Sequence, residues 1–380
     1  MSFFRNDAIN RVNIHYTLQA FAQGAGGLFV LVYLLKAGVS APQALLFQAG
    51  IIGGRFLLRP ALTPFARRWG VKPLLMAGTL VTALSYPMLA LVQGVGPLLL
   101  ALCALSSLGY LLYWLSYHAY FAALGETDDR GGQIGFREAL VAMVGIVAPL
   151  LGAAGLSTIG AMPTFLAVGL VQALAIVPLI GAPNVAVPPP RQDAPPMSRL
   201  ALGIMAGDGL FAATYYFVWL VALFVALGEN FLAFGGAAAL AALVGAVSGV
   251  ALGRLVDLGH GRRSTCIAYG VAVVVVLLRA GSLHTPWLAV LANAAGALLA
   301  AIVTPVLMTP VYNMAKASPC TFRFHMATEG AWDTGCFAGL MAAAGLSALG
   351  LPLSAPILLA LPSAVLLVVL LARYYGRGPA

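Results

Sequence analysis

Charge is what this sequence has least of. Only 8% of its 380 residues are Asp, Glu, Lys or Arg, against about a quarter in a soluble domain. Hydrophobic residues make up 61%, and the mean hydropathy is +0.97. A soluble fold with so few charges could not cover its own surface with polar groups. A water-soluble enzyme, a nucleic-acid binder and a disordered scaffold are therefore excluded. Cysteine is scarce as well. Cys103, Cys266, Cys320 and Cys336 are scattered, without the short spacing of a metal site or a disulfide framework, and read as small apolar residues. No metal set, cofactor motif or nucleophile arrangement is present, so no catalytic activity is expected. There is no G-x-x-x-x-G-K-[ST] loop, and no loop is large enough for a nucleotide-binding domain, so a primary pump is not expected either.

What the sequence has instead is long apolar runs. A bilayer-spanning helix needs about 20 mostly apolar residues. Twelve such segments are read, near 13–35, 42–66, 71–93, 97–124, 133–157, 160–182, 199–227, 231–255, 264–281, 286–315, 323–348 and 353–374. They are too long for membrane β-strands of about 10 residues. The N-terminal MSFFRNDAINRVNIHY has no small-residue cleavage site before the next apolar run, so the first span is expected to be retained. The expected fold is all-α and integral to the membrane.

Residues 183–198, PNVAVPPPRQDAPPMS, hold six prolines and read as an extended polar linker. It leaves residues 1–182 and 199–380 as two six-span halves of equal length, the pattern of an internal duplication. Lys and Arg set the orientation. With the N-terminus in the cytoplasm, sixteen of them fall on the cytoplasmic side and two, Lys36 and Arg279, on the other. That asymmetry puts both termini and the linker inside. It also accounts for the net charge of +9 without nucleic acid.

The loop after the eighth span runs Gly253-Arg-Leu-Val-Asp257-Leu-Gly-His-Gly261-Arg262-Arg263. It resembles the signature loop of the major facilitator superfamily, G-x-x-x-D-x-x-G-[RK]-[RK]. The resemblance implies a cytoplasmic gate. Asp257 can pair with a basic residue and meet the positive end of a neighbouring helix, while Arg262 and Arg263 anchor the turn at anionic headgroups. The corresponding first loop, Pro64 to Lys72, keeps Arg67, Arg68, Gly70 and Lys72 but has no acid. Span 5 gives a partial match to the superfamily's antiporter signature: Gly135, Pro149 and Gly152 fit, whereas Val144, Ala148 and Ala153 stand where glycine is expected. The span 4 arginine of many proton antiporters is absent. Spans 3, 6, 9 and 12 would form the outer support and the others would line the central path.

Ionisable groups at membrane depth are costly unless they face protein or water, which makes each a functional candidate. They follow that division. Spans 3, 6 and 12 have none, and span 9 has only Arg279 at its end. Span 7 carries Asp208, with Tyr215 and Trp219 on the same face. It reads as a proton site, or as a packing residue between Gly207 and Gly209. Span 11 carries His325, Glu329 and Asp333 at i, i+4 and i+8. Its acids either cycle protons or neutralise a buried arginine. Span 2 carries Arg55 and Arg59. Arg55 either binds an anionic substrate or pairs with a span 11 acid. Span 4 carries Tyr110, Tyr113, Tyr117 and Tyr120 in a stripe that suits a cavity wall, with the titratable His118 beside it. Arg137 and Glu138 open span 5 at the gate edge.

The expected protein is a monomeric secondary transporter in a bacterial inner membrane, exporting an amphipathic or anionic organic small molecule by alternating access against protons. Its proton-coupling candidates are Asp208, Glu329, Asp333 and His118. Arg55, Tyr113, Tyr117, Tyr215 and Trp219 are its substrate candidates. Two alternatives stay open at this level: uptake of an organic anion with protons, and a non-transporting assembly factor on the same scaffold.

Overall fold

The computed structural model describes residues 6–124, 130–187, 198–256, 261–318 and 321–376. Among these residues all regular structure is helical. The helices are α1 (Asp7–Ala25), α2 (Val30–Lys36), α3 (Ala41–Trp69), α4 (Val71–Ala90), α5 (Pro97–Leu124), α6 (Arg130–Thr158), α7 (Ala161–Leu174) and α8 (Val177–Ile180). After the linker come α9 (Arg199–Ala212), α10 (Trp219–Ala226), α11 (Phe231–Val256), α12 (Gly261–Ser282), α13 (Pro286–Lys316), α14 (Thr321–Ala348), α15 (Ser354–Leu358) and α16 (Ala360–Tyr375). Between α9 and α10 lies a π-helical turn, Ala213–Val218.

Local chemistry sets the helix starts. The Asn6 side chain accepts from Ile9 N at 3.0 Å and caps α1. Ser198, the last residue of the proline-rich stretch, caps α9 by accepting from Ala201 N at 3.3 Å. Each cap satisfies a backbone donor that the first helical turn leaves open.

Among the described residues, eleven helices or helix pairs are long and apolar enough to cross a bilayer. Helix α14 is the other long helix. It is 28 residues long, and His325, Glu329 and Asp333 lower its hydropathy. Large apolar side chains such as Leu57, Leu100, Val274 and Trp287 are exposed along these helices. Water would penalise such surface and lipid accommodates it.

The chain divides into two compact units. One comprises Met1–Val39 with Gly54–Pro189, the other Ser40–Gly53 with Pro190–Ala380. In the first unit α4 packs on α5 and α7, and α1 packs on α6. Its core joins Val12, Val71, Leu75, Tyr113, Tyr117, Tyr120 and Leu179. A Cβ on Gly152 would strike the Ala25 carbonyl, so this glycine lets α6 meet α1 backbone to backbone. In the second unit α9 packs on α14 and α16, and α13 packs on α11 and α12.

Candidate functional site

The polar face of α9 is built by a glycine-rich run, Gly203 to Gly209. Gly203 and Gly207 face the leucines Leu370 and Leu367 of α16. Gly209 faces the other way, and a Cβ there would enter the Trp332 carbonyl of α14. The reverse holds at Gly335, where a Cβ would enter the Ala206 carbonyl. Two glycines thus let α9 and α14 cross in backbone contact, as small residues do between membrane helices.

That crossing brings Asp208 to Trp332. The indole Nε1 donates to Asp208 Oδ2 at 2.9 Å. The Glu329 carboxylate, one turn before Trp332, lies within electrostatic range of Asp208, as does the hydroxyl of Tyr269 on α12. Tyr269 is buried, and its hydroxyl has no hydrogen-bond partner among the described residues. No basic side chain there forms an ion pair with Asp208.

One and two turns further along, the same side of the helix presents Phe211 and Tyr215, whose rings stack at 4.9 Å. Tyr215 lies in the π-helical turn, whose hydrogen bonds span one residue more than those of α-helix and which is a frequent mark of functional sites. Its hydroxyl donates to the Gly296 carbonyl at 3.0 Å. Trp219, the first residue of α10, donates from Nε1 to Asn293 Oδ1 at 2.9 Å. Asn293 Nδ2 in turn donates to the Ala237 carbonyl at 2.9 Å.

Tyr215 and Trp219 also share a partner that the sequence counts as a loop-edge charge. Arg279, in the last turn of α12, is 4% exposed. Its guanidinium carbon lies 4.0 Å from the centre of the Tyr215 ring and 4.6 Å from that of Trp219. Arg279 Nη1 donates to the Tyr215 carbonyl at 2.6 Å.

The other candidates lie elsewhere. Asp333 is fully buried on α14, and Glu329 and His325 are half-buried. Arg55 and Arg59 are buried along α3. Tyr113 and Tyr117 pack in the core of the first unit. Their rings stack on each other at 5.9 Å. Tyr113 also stacks on His15 at 5.7 Å, and Tyr117 on Tyr16 at 4.6 Å. His118 is exposed on α5 and stacks on Trp114 at 5.7 Å. Of the signature loop, Gly253 falls in α11, Gly261 opens α12, and Arg262 and Arg263 are exposed. Asp257 lies outside the described residues, as do the side chains of Arg137 and Glu138.

The sequence reading missed Trp332, Tyr269, Arg279 and Asn293. Asn293 and Arg279 are polar interruptions of apolar runs, and that was the available signal. Nothing in the sequence marks Trp332 as the partner of Asp208.

A sequence profile described as Major Facilitator Superfamily matches residues 16–319. No curated protein sequence matches the chain. Solved structures resemble it along almost its whole length. The crystal structure of a bacterial homologue of the iron transporter ferroportin, in an inward-facing state, matches with a TM-score of 0.68 at 15% identity, covering 98% of this chain and 99% of that one. An auto-inhibited peptide transporter of the POT family matches with a TM-score of 0.68 at 12% identity, over 98% and 97%. A nucleoside transporter matches with a TM-score of 0.67 at 13% identity, over 98% and 100%. At such identities the likeness is one of fold.

Proposed function

The chain belongs to the major facilitator superfamily, and from that premise we propose that this integral membrane secondary transporter exports an amphipathic or anionic organic small molecule in exchange for protons, by alternating access. One observation carries the coupling. Asp208 sits on a membrane helix with an indole N–H as its hydrogen-bond donor and a second acid, Glu329, in electrostatic range. A carboxylate held by a neutral donor keeps both protonation states accessible, whereas a tight ion pair with arginine would fix the charged one. Glu329 is the relay candidate, and Asp333 and His118 are secondary ones.

The substrate side of the reading rests on Phe211, Tyr215 and Trp219, which follow Asp208 along one face. Aromatic rings suit an amphipathic solute. Export is favoured by the antiporter-like residues Gly135, Pro149 and Gly152. The same reading keeps the two six-span halves, 1–182 and 199–380, with the linker 183–198 between them. It takes the protein as a monomer in a bacterial inner membrane with both termini cytoplasmic, and Gly253, Asp257, Gly261, Arg262, Arg263, Arg137 and Glu138 as its cytoplasmic gate.

Reconstituted proteoliposomes test the coupling. Asp208→Asn should abolish accumulation of substrate driven by a pH gradient while leaving gradient-free exchange. Accumulation at wild-type rate in that variant would make Asp208 a packing residue and end the proposal.

A further inference from the structure

Arg279 is a buried arginine beside the candidate path, 4% exposed, and no described carboxylate matches its charge. An arginine side chain has five N–H donors and stays ionised in proteins. Among the described residues Arg279 donates one hydrogen bond, from Nη1 to the Tyr215 carbonyl. Its Nε is buried and has no partner. No carboxylate there pairs with it. The faces of Tyr215 and Trp219 compensate part of the charge, but an aromatic face cannot accept the in-plane N–H groups. A buried cation lacking its counter-ion is costly, and removing the arginine would be the simple remedy.

Around the guanidinium the packing is specialised. Gly296 has no side chain at the one place where a Cβ would strike Arg279 Nη2. The Gly296 carbonyl is already occupied by the Tyr215 hydroxyl. Trp219 is fixed by Asn293, and Asn293 by the Ala237 carbonyl. The ring that flanks the guanidinium most closely, Tyr215, sits in the π-helical turn. The result is a fixed aromatic box with a cation in it, whose Nε–H has no partner among the described residues.

We propose that Arg279 is the receptor for the negative charge of the substrate, and that Tyr215 and Trp219 take its aromatic or apolar body, which makes aromatic carboxylates the preferred substrate class. The inference rests on the reading of the Asp208–Trp219 face as part of the transport path. It assigns the anion-binding role to the second unit rather than to Arg55, for which the sequence left substrate binding and pairing with a span 11 acid both open. A planar carboxylate matches the guanidinium edge in two parallel hydrogen bonds, and it supplies the counter-charge that no described residue does.

The test is binding to the purified full-length protein in detergent, which needs no transport. Benzoate and 1-naphthoate are compared with their neutral isosteres, benzamide and 1-naphthamide, by calorimetry. The wild type should prefer each carboxylate at least tenfold. Arg279→Gln should erase that preference by bringing each carboxylate down to the affinity of its amide. Gly296→Ala retains the charge but pushes the guanidinium aside, and should also erase the preference; it decides the matter if Arg279→Gln does not fold. Equal binding of acids and amides by the wild type overturns the proposal. So does a preference that survives either variant, or a loss of acids and amides in equal measure. Asp208→Asn separates the two ideas. If it still accumulates substrate, the coupling reading fails, yet a carboxylate preference that depends on Arg279 would stand.

Discussion

Trp332 holds Asp208 by a 2.9 Å hydrogen bond between residues 124 apart in sequence, and two glycines make the bond geometrically available. Gly209 and Gly335 each meet a backbone carbonyl of the opposite helix. With α9 and α14 this close, a tryptophan on one helix reaches a carboxylate on the other without a bridging group. The order of causes runs from small residues to backbone contact, and from backbone contact to the polar pair. The proposed coupling chemistry comes last.

Gly335→Ala tests the first step. The new methyl meets the Ala206 carbonyl, and neither backbone can give way locally. Overpacking of this kind costs about 1–3 kcal/mol. The variant should melt several degrees lower and transport more slowly. Wild-type melting together with wild-type flux would show that the helices are not in backbone contact.

Trp332→Phe tests the second step. It keeps an aromatic ring against α9 and removes only the N–H donor. Loss of a hydrogen bond to a charged group costs about 1.5–3 kcal/mol. Proton-driven accumulation should fall while the protein stays folded and substrate still binds. If accumulation is unaffected, the indole N–H has no part in coupling.

The spans were legible because hydropathy reports burial in lipid directly, and even α14 stood out despite its acids. Side-chain surroundings were less legible. Spacing put Asp208, Tyr215 and Trp219 on one face of a continuous helix, and the chain inserts a π-helical turn within that stretch with no sequence mark. Spacing likewise put Tyr113 and Tyr117 on one stripe, but periodicity does not say what the stripe faces. In the structure it faces Val12, Leu75 and Leu179, inside the first unit. Arg279 lies near the end of an apolar run, where positive residues usually meet water. Its burial depends on Tyr215, Trp219 and Gly296, which are distant in sequence. Long-range packing decides such cases, and a local pattern cannot carry that information.

Gln19 and Gln172 offer a stability test in the first unit. Both are buried, and Gln172 Nε2 donates to Gln19 Oε1 across α1 and α7. Such bonds in membrane proteins are individually weak, about 0.6 kcal/mol on average. Leaving one amide buried without its partner is worse, about 1–3 kcal/mol. Gln172→Leu should therefore destabilise clearly, and Gln19→Leu in the same chain should recover most of the loss. Additive losses in the double-mutant cycle would show that the two amides are independent.

The loop from Pro64 to Lys72 carries no acid, and its residues make contacts of another kind. Lys72 Nζ donates to the carbonyls of Ala182 at 2.7 Å and Ile180 at 3.2 Å. Val71 N donates to the Val185 carbonyl at 2.9 Å. Asn184 Nδ2 donates to the Trp69 carbonyl at 2.8 Å, and Asn184 Oδ1 accepts from Lys72 N at 3.2 Å. Gly70 takes a φ of 82° with ψ at −180° at the centre of this arrangement, a conformation that is almost confined to glycine and costs a residue with a Cβ about 1–3 kcal/mol. A Cβ at Gly70 would also collide with the Asn184 amide. The loop thus clamps residues 180–185 through backbone and amide groups. Gly70→Ala should lower stability by about 2 kcal/mol. Asn184→Ala should leave the spans intact but release the clamp, so amide exchange at Val71 should speed up at least tenfold. Unchanged exchange at Val71 would mean that the linker start is held by the spans alone.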